Sequence, residues 1–95
     1  PLPKQFALHQ NYPNPFNPAT SLLFDIAEPC PGSLVIYDIL GRKVRTLIEG
    51  DLAPGFHKIE WDGANEYGKT VASGLYHAVL HTEKGQFVKK MAMVR

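Results

Sequence analysis

Leu75-Tyr-His-Ala-Val-Leu-His-Thr82 and Gln86-Phe-Val-Lys-Lys-Met-Ala-Met-Val94 decide the fold of this chain. The two runs read as a closing antiparallel hairpin around Lys84-Gly85. In the second run Lys89, Met91 and Met93 lie on one side, and Val88, Lys90, Ala92 and Val94 on the other. The same period-two pattern recurs upstream. Thr20-Ser-Leu-Leu-Phe-Asp-Ile-Ala27 puts Leu22, Phe24 and Ile26 on one face with Asp25 opposite. Leu34-Val-Ile-Tyr-Asp38 aims Leu34 and Ile36 one way. Arg42-Lys-Val-Arg-Thr-Leu-Ile48 returns with Val44 and Leu47 at the uneven spacing of a bulge. In Phe56-His-Lys-Ile-Glu-Trp61, His57, Ile59 and Trp61 share a face, and Lys58 and Glu60 take the other. Between these runs stand turn signals: Glu28-Pro-Cys-Pro-Gly32, Asp38-Ile-Leu-Gly41, Glu49-Gly-Asp51, Ala53-Pro-Gly55, and a long Gly- and Asn-bearing loop over residues 62–74. No run carries an extended helical stripe. The pattern predicts an all-β chain, an antiparallel β-sandwich of about seven strands.

Upstream of the first strand lies Gln10-Asn-Tyr-Pro-Asn-Pro-Phe-Asn-Pro-Ala-Thr20. Pro13, Pro15 and Pro18 exclude a helix or a central strand, and hold the residues before them extended. A flexible linker has no use for Tyr12 and Phe16, each able to bury roughly 150–250 Å². The expectation is a stiff strap over residues 1–19, arriving from an upstream domain and pinned by both aromatics onto a sandwich spanning residues 20–95.

Ninety-five residues make one domain, large enough for a core without staples. The net charge of +1 steers the chain toward neither nucleic acid nor an anionic membrane. No apolar stretch approaches the roughly 20 residues of a membrane-spanning helix. Cys30, the single cysteine, sits between prolines in a predicted loop, away from any His or Asp that would activate it, and reads as incidental. The chain opens on Pro1 without a signal-like segment and ends on a charged, strand-like run. It therefore reads as the C-terminal piece of a longer protein.

Chemistry-bearing patterns are weak. Asp62-Gly-Ala-Asn-Glu-Tyr-Gly68 resembles a calcium loop only superficially, lacking the third-position acid and the bidentate Glu. Asp62 and Asn65 are expected to bond their own backbone instead. His77 and His81, four apart on a strand, stand about 13 Å from each other, too far to share an ion. His9 and His57 add no ligand set, and His57 reads as a half-buried packing residue. Trp61 alternates with Ile59 and is assigned to the core, while Tyr67 lies in a loop and is the tyrosine expected in solvent. No catalytic triad order, phosphate cradle or carboxylate pair stands out, so no enzyme activity, cofactor or metal is expected.

The ordered set of motifs resembles a known family. Asn11-Tyr-Pro-Asn-Pro-Phe-Asn-Pro18 with Thr20, Val35-Ile-Tyr-Asp-Ile-Leu-Gly-Arg-Lys-Val44, Gly55-Phe-His-Lys-Ile-Glu-Trp-Asp-Gly63, Ser73-Gly-Leu-Tyr76 and Lys90-Met-Ala-Met-Val-Arg95 are similar to the type A C-terminal sorting domain of the type IX secretion system. The second half also resembles the Ig-like domain of the flagellar hook-capping protein. The resemblance implies an Ig-like sandwich at the end of a secreted or cell-surface protein that crosses the periplasm of a Gram-negative bacterium. In many members the domain is recognised by outer-membrane export machinery and then removed or exchanged for a surface anchor. It places Gly74 and Tyr76 on the family's Gly-x-Tyr motif, and Lys90, Met91, Val94 and Arg95 in the terminal recognition strand, which Lys89 adjoins.

An edge strand offers unpaired amides to a partner by strand addition, and its lysines discourage promiscuous pairing. The expected partners are the export machinery and the upstream domain of the same polypeptide. Two excised copies can also pair at the free edge. The alternatives from other classes are an accessory carbohydrate-binding module or a passive structural module on a secreted hydrolase.

Overall fold

A computed structural model describes residues 1–94. Among them the chain forms seven strands and no helix: β1 (Ala7–Leu8), β2 (Thr20–Ile26), β3 (Cys30–Asp38), β4 (Lys43–Leu52), β5 (Gly55–Trp61), β6 (Gly74–Thr82) and β7 (Gly85–Met93). They build a three-stranded sheet, β1-β2-β5, and a four-stranded sheet, β4-β3-β6-β7, with every pair antiparallel. This is the two-sheet Ig-like arrangement, with β2, β3, β5, β6 and β7 standing where strands B, C, E, F and G stand.

Alternation sets the core. Leu22, Phe24 and Ile26 of β2 are fully buried and face Leu34 and Ile36 of β3, Ala78 and Leu80 of β6, and Met91 and Met93 of β7. Burying each of the larger side chains contributes about 1.5–3 kcal/mol. Trp61 closes one end of this core, its ring 5.4 Å from Phe16 and 5.6 Å from Tyr76, while its Nε1 donates to the Ala64 carbonyl at 2.9 Å. His57 stacks on Phe24 at 5.0 Å and bonds the Ala53 carbonyl, the packing role expected of it.

The bulged return is present. The β3–β4 register slips after Leu34 and again after Ile36, leaving Leu47 and Val44 without direct partners, and both pack on the core. Two turn assignments are corrected. Cys30, Pro31 and Gly32 are the start of β3, and residues 49–51 continue β4 opposite them. At Pro31 the strand has run past the end of β6 and has only β4 beside it, so a missing N–H on the far side breaks no ladder. Cys30 is consequently buried in a strand, not placed in a loop.

Candidate recognition edge and its strap

β7 borders the four-stranded sheet, as expected of a recognition strand, but it is not free along its length. Alternate residues turn their backbone groups away from β6, and toward the C-terminal end these groups are taken. The Lys90 carbonyl accepts from Gln10 Nε2 at 2.8 Å, and the Ala92 N–H donates to Asn14 Oδ1 at 2.9 Å. The Ala92 carbonyl accepts from the Phe16 N–H at 2.9 Å, and the Val94 N–H donates to the Phe16 carbonyl at 3.0 Å. Phe16 thereby forms a parallel bridge to Met93. Among the described residues none bonds the outward groups of Gln86 and Val88. The open edge is therefore the hairpin end of β7, and the expectation of a wholly unpaired terminal strand is corrected.

The strap is held differently from the expectation that two aromatics pin it. Phe16 is 1 % exposed and sits against Trp61, whereas Tyr12 is 78 % exposed. Tyr12 is fixed by its backbone, which exchanges hydrogen bonds with Ser21 at 3.0 and 2.8 Å. The residue turned inward beside it is Asn11, 2 % exposed. Its Nδ2 donates to Thr20 Oγ1 and to the Pro13 carbonyl, and Thr20 donates to that same carbonyl at 2.8 Å. Gln10 Nε2 donates to Asn11 Oδ1 as well as to β7. Gln10, Asn11 and Asn14 were not singled out from the sequence, where an Asn/Pro-rich run looks only like turn chemistry. The signal was available in Thr20, a hydroxyl opening a strand next to an inward-facing amide. Pro13, Pro15 and Pro18 stand at the exposed turns of the strap.

The remaining sites divide by burial. Met91 is fully buried, so its side chain holds the sheet together; Lys90 and Val94 are exposed and Lys89 is half-buried. Arg95 lies outside the described residues. Gly74 opens β6 at the surface, opposite Met93. Tyr76, two residues on, is buried and donates its hydroxyl to the Ala72 carbonyl at 2.5 Å. A tyrosine near the start of this strand bonding backbone a few residues upstream is the tyrosine corner of Ig-type sandwiches. Burial first, and the Asp38 carboxylate second, raise its pKa above 10.0.

The loop end of the sandwich is built from side chains that close their own turns. Asp38 accepts from the backbone N–H groups of Leu40 and Arg42 and from Arg42 Nε at 2.8 Å. The Arg42 backbone bond leads in lowering its pKa below 3.8, with the Arg42 guanidinium assisting. Gly41, at φ +82°, completes this turn and leaves Ile39 and Leu40 in solvent. A shallow depression of about 390 Å³ lies between this tip, Val71 and Tyr76. Asp62 accepts from the Ala64 N–H, and Asn65 from the Tyr67 and Lys69 N–H groups, the self-bonded loop the sequence predicts. Tyr67 is 88 % exposed and Trp61 fully buried, as read from the sequence. Among the described residues no three His, Cys, Asp or Glu side chains gather into a metal-ligating group, and no helix is long and apolar enough to cross a membrane.

Comparison with known proteins agrees with this geometry. Over 50 residues the chain is 42 % identical to the basal-body rod modification protein FlgD of Salmonella typhimurium, and equally to that of Salmonella typhi. That stretch is 53 % of this chain and 22 % of those relatives, so the chain matches only a small part of their length. Among solved structures it superposes on latent dimeric PorU from Porphyromonas gingivalis with a TM-score of 0.63 at 24 % identity, covering 97 % of this chain and 9 % of PorU. PorZ, described as an essential bacterial surface component of the type-IX secretion system of the same organism, gives 0.59 at 21 % identity, covering 95 % and 11 %. These likenesses show the fold. Residues 16–86 match the FlgD Ig-like domain, and the chain, an Ig-like sandwich over most of its length, belongs to that family.

Proposed function

We propose that this chain is a non-enzymatic secretion and sorting module, the C-terminal domain of a larger protein carried through the periplasm and delivered to the surface by type IX export machinery of the outer membrane. One observation carries the reading. The family match ends at residue 86 and begins at residue 16, whereas the likeness to PorU and PorZ takes in 97 % and 95 % of the chain. The segments outside the family match are most of the strap and most of β7, and these are the segments that bond each other. They are also two of the segments that resemble sorting domains in sequence. PorZ is itself described as belonging to that secretion system, which favours export over a role like that of FlgD. The module's recognition surface is the open end of β7 at Gln86 and Val88, bordered by the exposed Lys90 side chain, whose carbonyl the strap already holds, and by Lys89.

The test is a fluorescent reporter directed to the periplasm and fused ahead of the whole chain, in a type IX-competent Gram-negative host. Reporter in the medium or on the cell surface supports the reading. Reporter left in the periplasm, as without the chain, refutes it. Deleting the tail is a poor probe because Met91 and Met93 are core residues. The Gln86→Glu/Lys90→Glu pair changes two exposed side chains of β7 and is expected to abolish delivery while leaving the melting temperature of the isolated domain unchanged.

A further inference from the structure

The arm over residues 7–16 touches the sandwich in an unusual way: it belongs to both sheets. At its start Ala7 and Leu8 pair with Asp25 and Phe24 of β2, and the His9 N–H donates to the Leu23 carbonyl. In its middle Tyr12 bridges Ser21. From Gln10 onward, Gln10, Asn14 and Phe16 bond the outward backbone of β7. The arm thus lies in the seam where an edge of one sheet faces an edge of the other. Take it away, and β2 loses its neighbour on one side, β7 loses its cover, and Trp61 loses one of the two rings packed on it.

We infer that the seam between β2 and β7 is a strand-acceptor cleft, filled in cis by residues 7–16 and able to take the same arm from a second copy of this chain. Three features specify the guest. The bonds to β7 are made to backbone groups at Lys90, Ala92 and Val94, so the cleft reads an extended chain without regard to its own side chains there. The guest supplies an amide oxygen, Asn14, two residues ahead of an aromatic, Phe16, and that aromatic fills the slot at Trp61, while Leu8 and Asn11 are also buried along the arm. Residues 17–19 join the arm to β2 and form none of its strand, so they can redirect it to a neighbour. An arm seated in a second molecule makes every bond it makes at home. Its high effective concentration in cis keeps the isolated chain closed at low protein concentration. Completion of an Ig-type sandwich by a strand from another molecule is a known recognition mode in general terms, and here the guest and its slot lie on one chain. This inference is independent of the export reading.

A full-length Phe16→Ala chain has an empty slot and a weakened arm, and a synthetic peptide of residues 6–18 serves as the guest. Titration of the labelled peptide should saturate, and a peptide carrying Ala in place of Phe16 should bind at least about 100-fold more weakly. Equal affinity of the two peptides, or no binding of either, overturns the inference. If the Phe16→Ala chain does not fold, the Gln10→Ala/Asn14→Ala chain replaces it, since it keeps the core intact while removing two bonds of the cis arm. The intact peptide should then bind about 30-fold more tightly than to the unaltered chain. Equal binding to the two chains again overturns the inference. Light scattering on the unaltered chain adds an independent arm: annealing at high concentration should yield dimers that retain their two straps, and copies cross-linked between Gln10 and its own β7 should stay monomeric.

Discussion

Tyr76→Phe removes one hydroxyl and leaves the rest of the tyrosine corner in place. The ring keeps its edge-on contact with Trp61, 5.6 Å between centroids at 70°. What is lost is the 2.5 Å bond to the Ala72 carbonyl. A net intramolecular hydrogen bond contributes about 0.5–1.5 kcal/mol. Ala72 lies at the surface, so water can reach the released carbonyl, and the cost should stay near the middle of that range, about 1 kcal/mol. For a domain of this size that corresponds to a fall of about 4–8 °C in melting temperature. The alkaline side sharpens the test. The folded-state pKa of Tyr76 is raised above 10.0, by burial first and Asp38 second. A raised folded pKa means that this group's contribution is fully present below pH 10.0 and is lost as the pH climbs through the folded value. Denaturant unfolding of both proteins at neutral pH and in steps above pH 10 isolates the effect, because the other three tyrosines cancel in the difference. The stability gap should be widest at neutral pH and should narrow in alkali. A gap of zero at neutral pH, or one that is flat into alkali, would refute the corner's role.

Two other changes test other parts of the fold. At Gly32 a Cβ would stand 2.5 Å from the His81 carbonyl oxygen and 2.8 Å from Leu52 Cδ1. Gly32→Ala should therefore cost about 1–3 kcal/mol, toward the upper end because a paired backbone cannot yield, as read by denaturant midpoint. Asp38→Asn removes a carboxylate whose pKa is lowered by the Arg42 backbone bond and the Arg42 guanidinium. A lowered folded pKa gives stability that is present above pH 3.8 and lost as the pH falls through the folded value. The unaltered chain should lose stability across that acid window more steeply than the Asn variant, and parallel acid profiles would show that the turn does not depend on the charge.

Strand assignment was legible wherever one face is buried and the other wet, because the pleat then writes itself as alternation: β2, β5, β6 and β7 were read to within a residue or two. The bulge in β4 was legible for the same reason, since Val44 and Leu47 both needed burial at a spacing that a regular strand cannot provide. Reading failed where backbone position outweighed residue preference. Pro31 and Gly50 signal turns, yet they extend β3 and β4 because that stretch of β3 lies beyond the end of β6. Tyr12 and Phe16 look equivalent in sequence and share parity, but the strap turns at the exposed residues between them, so Phe16 ends inward and Tyr12 outward, with Asn11 buried in its place.

The amino-acid sequence by itself determined the all-β class, the core-facing residues, the self-closing turns at Asp38, Asp62 and Asn65, and the motif order that resembles sorting domains. These depend on interactions within a few residues or on a simple period, so they survive without knowing what lies across the sheet. Only the tertiary structure decided how much of β7 is open. Its cover comes from Gln10, Asn14 and Phe16, nearly 80 residues earlier in the chain, through bonds to backbone groups that every residue possesses. On the β7 side such groups leave no trace in residue type, and on the strap side the amides of Gln10 and Asn14 look like ordinary turn residues, so the pairing is visible only once the strap lies along the strand.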